Sequence, residues 1–401
     1  MAKTTLNQHA ERPNFKLSEQ AQQITDSLLG LVIQRIEANN GSISFSSFMQ
    51  SALYEPRLGY YQNNLKTFGE KGDFVTAPEL GRLFAACLAN SLVDYIQNAQ
   101  DAKILEIGAG SGQLALNLLL ALAKDSALPE QYLVLEPSAA LQFQQKELLA
   151  KNLPQYFSKI TWLSDLPSSF DGVIIANEVI DAIPFDRVIK QQDGWYQLQV
   201  SSLDGDFVER KGATISNQWL PDALSKDNNF PVGYQAEIRS MTQGWINALY
   251  HSMNSGAVIL IDYGYPQAEL YHPQRAAGSL KCFINHHQHD DPFQYIGVQD
   301  ITAHVDFSHV AHSAHEAGFD ISGFTTQAGF LLENGITDIG ERKNKRASSG
   351  PPNTNDYSLS REIQQLLMPG QMGEVIKVML LEKEPVSSIK GFSLQDHLYR
   401  L

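Results

Sequence analysis

KILEIGAGSGQ, residues 103–113, decides how the chain is read. An apolar strand, KILEI, runs into three closely spaced glycines, and a helical run from Gln113 to Lys124 begins directly behind them. Glycine serves such a strand-to-helix turn for two reasons. It enters left-handed dihedrals freely, and it leaves bare backbone against which a ligand can lie. The spacing is G-x-G-x-G at Gly108, Gly110 and Gly112, with Gln113 where a dinucleotide fingerprint would carry its third glycine.

The second strand, QYLVLE (131–136), closes on Glu136. In an open α/β sheet an acid at that tip accepts hydrogen bonds from a ribose diol. Glu106 stands near the end of the first strand. An acid there suits a cationic sulfonium better than a pyrophosphate, which prefers backbone amides and a helix dipole. A glycine cluster alone also reads as a plain tight turn. Here strand, glycines, helix, strand and acid arrive in the order that a nucleoside-bearing cofactor needs.

Working outward, KITWL (159–163), DGVIIA (171–176) and GAVILID (256–262) read as further strands, with a helix over 138–151 between the second and third. Alternation of strands and helices predicts an α/β fold: a doubly wound, mostly parallel, Rossmann-like sheet buried on both faces. FDISGFTTQ (319–327) and GEVIKVMLLEK (373–383) add two late strands. RVIKQQDGWYQLQV, around Asp193 and Gly194, reads as an inserted β-hairpin before a helix at about 234–254. ERKNKRASSGPPNTND (341–356) reads as a mobile polar loop. Residues 15–100 read as helical, with segments over 17–37, from Ser44, and from Pro78 to about Gln97. The expected organisation is a helical N-terminal region with a cofactor lid over 1–100, then a domain over 101–401 with substrate-binding insertions at about 185–255 and 328–372.

Composition narrows the partners. The chain has 401 residues and a formal net charge of −14, which disfavours nucleic acid and favours a cationic partner. Its two cysteines, Cys87 and Cys282, lack metal-ligand spacing and fit a reducing compartment. No apolar run is long enough to span a membrane, and the first residues carry no apolar or Arg-rich leader pattern, so the expectation is a cytoplasmic protein. The histidines between His286 and His315 form no compact ligand pattern, so no metal is expected.

Several stretches, taken together and in order, resemble one family. They are FMQSALYEPRLGYY, FGEKGDFVTAPELG, LEIGAGSG, VLEPS, ANEVIDAIPFD, LIDYGYP and HHQHDDPFQYIGVQDITAHVDFS, spread over about residues 25–383. The chain is similar to the MidA family, bacterial relatives of a mitochondrial methyltransferase that assembles respiratory complex I. The resemblance implies a class I methyltransferase fold with S-adenosyl-L-methionine as cofactor. It further implies a protein acceptor, methylated on arginine in the mitochondrial relative. A homodimer is compatible with the chain.

Expected roles follow from position. Glu106, Gly108, Gly110, Gly112 and Glu136 face the cofactor, joined by Asn177 after the fourth strand and by Asp165 after the third, placed for the adenine amine. Gly72, Asp73, Thr76 and Pro78 are assigned to a glycine-rich lid. Glu178 and Asp181, three residues apart, are expected on one side of a helical turn, gripping a basic acceptor with Asp262 or Tyr263 nearby. Each has a structural alternative as a cap or turn residue. Two other functions compete: an NAD-dependent oxidoreductase, against which the glycine spacing argues, and a non-catalytic assembly module that binds cofactor without chemistry. A hydrolase lacks a G-x-S-x-G elbow.

Overall fold

A computed structural model of the chain describes residues 15–63, 65, 77–226, 229–347 and 354–401. These form two compact units that alternate along the sequence. One comprises the described residues of Val75–Ile180, Gln243–Tyr265 and Val310–Leu401, the other those of Met1–Phe74, Asp181–Thr242 and Pro266–His309.

The first unit is built on seven strands: β1 (Lys103–Ile107), β2 (Gln131–Leu135), β3 (Ile160–Leu163), β4 (Phe170–Asn177), β5 (Met253–Tyr265), β6 (Asp320–Thr326) and β7 (Ile376–Lys383). Their order is β6-β7-β5-β4-β1-β2-β3. The five strands from β5 to β3 are parallel, and β7 enters antiparallel between β5 and β6. This is the doubly wound, mostly parallel sheet expected from the alternation of elements. The central strands are apolar throughout because both faces are covered: Val173, Ile174, Ile175 and Ala257 to Ile261 are all buried. Helices α1 (Leu83–Asn98), α2 (Gln113–Lys124) and α3 (Ala139–Asn152) supply buried leucines to the same core. Ser138 caps α3, its hydroxyl accepting from the Leu141 N–H.

The chain enters the sheet at its middle. β2 and β3 lie to one side of β1, while β4 and β5 lie to the other. The carboxyl ends of β1 and β4 therefore diverge into loops on opposite sides, which opens the crevice where such sheets bind ligands.

The second unit is largely antiparallel. The strands Ile43–Ser44, Gly194–Leu203, Asp186–Gln191 and Gln235–Ile238 follow one another in a sheet, with Asp206–Thr214 also on Gly194–Leu203. A smaller sheet joins His287–His289, Lys281–Ile284 and Asp300–Thr302. The helices Glu19–Ala38 and Phe45–Tyr54 cover an apolar core. The hairpin expected around Asp193 is present, its two strands meeting at Gln191 and Gly194.

Several expectations need correction. The helix expected over 234–254 starts only at Thr242, because Gln235–Ile238 pairs with Asp186–Ile189 and becomes a strand. Tertiary pairing outweighs local pattern there. The polar stretch 341–356 is not one loop. Helices Ile336–Ala347 and Thr354–Leu367 claim both its ends, anchored by the fully buried Ile336 and Leu366. Residues 348–353 lie outside the described set. The helix from Pro78 is interrupted: Ala77–Leu80 is a separate turn, and α1 starts at Leu83. The Glu362 carboxylate fills the space where a Gly81 side chain would stand and accepts from the Leu83 N–H at 2.7 Å. Finally, the helices Glu19–Ala38 and Phe45–Tyr54 share a compact unit with later insertions while α1 belongs to the other, although the change of sequence pattern falls near residue 100. Phe45 stacks on Phe185 at 5.4 Å and Phe48 meets Phe207 edge-on at 5.3 Å, contacts invisible to a linear reading.

Candidate active site

The glycine loop does what its composition requires. Gly108, Gly110 and Gly112 adopt φ of +67°, +53° and +81°, the left-handed region closed to most side chains. Two of them are also crowded. A side-chain carbon at Gly108 would lie 3.1 Å from Val179, and one at Gly112 would lie 3.2 Å from Gln145. Gly112 is the N-cap of α2, so the loop leads straight into the amides of that helix.

Two buried carboxyls flank the loop. Glu106 is 3% exposed, and the Tyr132 hydroxyl donates to it at 2.6 Å. Burial pushes its pKa up to about 7, against the stabilising Tyr132 hydrogen bond and with a further push from Glu136. Glu136, at the tip of β2, is 4% exposed. It accepts from the Ser138 N–H at 3.0 Å and from the Gln145 amide at 3.2 Å. Burial raises it likewise to about 7, opposed by those donors and the Gly110 N–H. A cationic ligand beside these acids would favour their ionised forms. The cradle of bare glycine backbone and the pair of desolvated acids therefore fit a sulfonium-bearing nucleoside.

Asn177 and Glu178 leave the carboxyl end of β4, and the Val179 side chain stands 3.1 Å from the position a side-chain carbon on Gly108 would take. Glu178 has φ +53°, a strained position for a non-glycine residue, and its N–H donates to the Ile261 carbonyl at 2.8 Å. The Asn177 amide nitrogen donates to the Glu178 carboxylate at 3.4 Å, while its buried Oδ1 has no hydrogen-bond partner.

Other expected residues are placed differently. The left-handed Glu178 breaks any helical turn, so Glu178 and Asp181 are not presented by one helix. Asp181 belongs to the second unit, where it is 8% exposed. Burial raises its pKa to about 6, opposed by Arg239. Asp262 is fully buried, and its carboxylate accepts from the Ile180 and Tyr263 N–H groups, both at 2.8 Å. It thus holds the turn after β4 instead of presenting itself to an acceptor. Asp165 follows β3 at the expected edge and is exposed, with the Ser164 hydroxyl donating to it at 2.8 Å. Pro78 is buried in the turn Ala77–Leu80, and neighbouring Glu79 accepts from the Ser111 hydroxyl within the glycine loop. Gly72, Asp73 and Thr76, assigned to the lid, lie outside the described residues. Sequence reasoning missed Tyr132, Gln145 and Trp162. A signal existed for one of them: Gln145 interrupts the buried stripe Leu141–Gln145–Leu149 of α3, a polar residue at a core position.

Comparison with known proteins agrees with this geometry. Residues 87–325 match a family of S-adenosyl-L-methionine-dependent methyltransferases. A superfamily member from Burkholderia thailandensis, crystallised with S-adenosyl-homocysteine, is 33% identical, with a TM-score of 0.90 over 97% of this chain and 100% of that one. The protein arginine methyltransferase NDUFAF7 of Xenopus laevis is 28% identical over 94% of this chain and 90% of its own. The Caenorhabditis elegans homologue of that enzyme is 28% identical over 78% of this chain and 77% of its own. Both are named as mitochondrial, which overturns the cytoplasmic expectation. Few cysteines and an acidic charge do not distinguish one reducing compartment from another. Fold, glycine loop, paired acids and relatives converge: the chain belongs to the MidA-like family of S-adenosyl-L-methionine-dependent methyltransferases.

Proposed function

We propose that the acceptor is an arginine side chain of a protein, and that Glu178 orients its guanidinium and takes the proton released as the nitrogen is methylated. The observation that carries this reading is the Asn177–Glu178 pair: a carboxylate carried on a left-handed backbone and an unpartnered amide oxygen, in adjacent residues at the carboxyl edge next to the glycine loop. Strain of about 1–3 kcal/mol at a non-glycine left-handed residue persists where the fold enforces it, and such positions cluster at functional sites.

Gly108, Gly110, Gly112, Glu106 and Glu136 hold the cofactor, and Asp165 faces its adenine. When bound, S-adenosyl-L-methionine supplies a methyl group on a positively charged sulfur, which departs as a neutral thioether. A guanidinium carries only donors and stays protonated at neutral pH. The Asn177 Oδ1 is a ready acceptor for one of its N–H groups. A Glu178 carboxylate oxygen accepts another and receives that proton as the new N–C bond forms. Asp262, by gripping the Ile180 N–H, keeps the turn carrying Glu178 in place. The names of the relatives support the choice of arginine.

The test uses full-length protein, labelled S-adenosyl-L-methionine and a cell extract, followed by acid hydrolysis and identification of the labelled amino acid. Label in methylarginine is expected, and Glu178→Gln should lower its formation by about 100-fold while S-adenosyl-homocysteine affinity stays within about threefold of wild type. Label in methyl-lysine or in methyl esters would refute arginine as the acceptor. Unchanged transfer by Glu178→Gln would remove that residue from the chemistry.

A further inference from the structure

Gln145 makes three hydrogen bonds beside the glycine loop, and neither the family assignment nor the proposed chemistry gives it a task. It is fully buried on α3. Its amide nitrogen donates to the Gly110 carbonyl at 2.8 Å and to the Glu136 carboxylate at 3.2 Å. Its amide oxygen accepts from the Trp162 indole N–H at 2.9 Å. Its stem stands 3.2 Å from the position a side-chain carbon on Gly112 would take.

The direction of these bonds is forced. An indole N–H can only donate, so the Gln145 oxygen must face Trp162. The two amide hydrogens then point the other way, at the Glu136 carboxyl and at the Gly110 carbonyl, which can only accept. A flipped amide would set donor against donor at Trp162 and acceptor against acceptor at Gly110. Trp162 itself is held on β3, with the Phe157 ring 6.0 Å from its own and the Lys146 ammonium 5.1 Å from its centre. Glu136 is thereby fixed from two sides: its Oε1 by the Ser138 N–H and its Oε2 by Gln145.

We infer that Gln145, locked by Trp162, is a positioning residue that aims the Glu136 carboxylate at the cofactor ribose and ties that acid to the glycine loop. Gln145 touches no cofactor atom in this scheme; it removes the rotational freedom Glu136 would otherwise lose on binding. Side chains ordered in advance bind more tightly because that cost is already met. The inference rests on the reading of Glu136 as the ribose acid, and the experiment separates the two.

The measurement is calorimetric titration of the full-length protein with S-adenosyl-homocysteine and with its 2′,3′-dideoxyribose analogue. Gln145→Leu suits the apolar stripe between Leu141 and Leu149, and Trp162→Phe keeps an aromatic ring while removing the N–H. Gln145→Leu should weaken S-adenosyl-homocysteine by about tenfold, the scale of one hydrogen bond to a charged group, yet weaken the analogue by less than about twofold. Trp162→Phe should show the same selectivity at roughly threefold. Glu136→Ala serves as the reference, expected to weaken the natural ligand and spare the analogue. If Glu136→Ala discriminates between the ligands while Gln145→Leu and Trp162→Phe weaken both equally, the positioning role is refuted and Gln145 is structural only. If Glu136→Ala does not discriminate, the ribose reading fails, and the inference fails with it.

Discussion

Glu106 and Tyr132 show, at the residue scale, what the cofactor site costs the fold. The carboxyl is buried against a single hydroxyl, and burial lifts its pKa from the ordinary carboxylate range to about 7. The folded state therefore holds this proton more tightly than the unfolded chain. Stability from Glu106 is fully present below about pH 4.5 and is lost as pH rises through about 7. Glu106→Gln keeps the shape, and its amide can pair with the Tyr132 hydroxyl in either direction. Cofactor-free Glu106→Gln should match wild type near pH 5 and exceed it by on the order of 1–2 kcal/mol at pH 8, read from urea unfolding at both pH values. The same variant should bind S-adenosyl-homocysteine more weakly. A variant equally stable relative to wild type at both pH values would contradict the shifted pKa. At Asp262, in contrast, burial is matched by two backbone donors, which is why that acid reads as a support for the turn.

At the scale of elements, two glycines near the starts of the central strands hold a backbone conformation in which a side chain would run into the neighbouring strand. Gly172 on β4 and Gly256 on β5 are register partners, with φ of +146° and +135°. A side-chain carbon on Gly172 would stand 2.1 Å from the Lys103 carbonyl oxygen, and one on Gly256 would stand 1.9 Å from the Gly172 carbonyl oxygen. These obstacles are backbone, which cannot swing aside. Gly172→Ala should cost more than about 3 kcal/mol in urea unfolding, whereas Gly205→Ala, in a turn with nothing within 4 Å, pays only for its left-handed φ of +91°, about 1 kcal/mol. Beyond β7, residues 384–401 are held by several contacts, among them the buried Ile389, the Lys390–Asp94 ion pair and one glutamate that accepts four hydrogen bonds. The Glu333 carboxylate accepts from the N–H groups of Gly391, Ser393 and Leu394 and from the Ser393 hydroxyl, which lower its pKa against a contrary push from desolvation. This stabilisation is present above the ordinary carboxylate pKa and is lost as pH falls through the lowered one. Glu333→Ala should expose the last residues to limited proteolysis at neutral pH, with cleavage appearing after residue 383 before the rest of the chain is cut. Equal resistance in variant and wild type would show that the remaining anchors, Phe392 packed on Phe330 at 5.6 Å, the buried Ile389 and the Lys390–Asp94 pair, suffice without Glu333.

For the whole molecule, the formal charge of −14 bears on the acceptor. A protein acceptor carrying arginine is drawn to such a surface, and salt screens the attraction over about 10 Å at 0.1 M. kcat/KM for a basic peptide should fall several-fold between low and high ionic strength, while S-adenosyl-homocysteine affinity changes little. An acceptor whose kcat/KM rises with salt would not be cationic. Among the described residues no helix is long and apolar enough to cross a membrane.

The parallel sheet, its glycine loop and the acids at its edges were legible in the sequence because they rest on local rules. An apolar strand of four to eight residues, a glycine needed for φ above zero, and an acid at a strand tip are each specified within a few neighbouring positions. β1 and α2 fall on the residues their pattern marks, Lys103–Ile107 and Gln113–Lys124. What a linear reading lacks is the partner supplied from far along the chain. Gln235–Ile238 is a strand because Asp186–Ile189 lies beside it, and the helix Phe45–Tyr54 belongs with residues past 180 because Phe45 and Phe48 find Phe185 and Phe207 there. The same holds at the site. Glu178, Asp181 and Asp262 look alike as carboxylates near strand ends, and only their surroundings separate them: a strained backbone, a buried pocket beside Arg239, and two backbone amides. Identity and spacing of residues determined which cofactor the sheet can hold. Burial and long-range hydrogen bonding, which act through space and not along the chain, decided the surroundings of each acid.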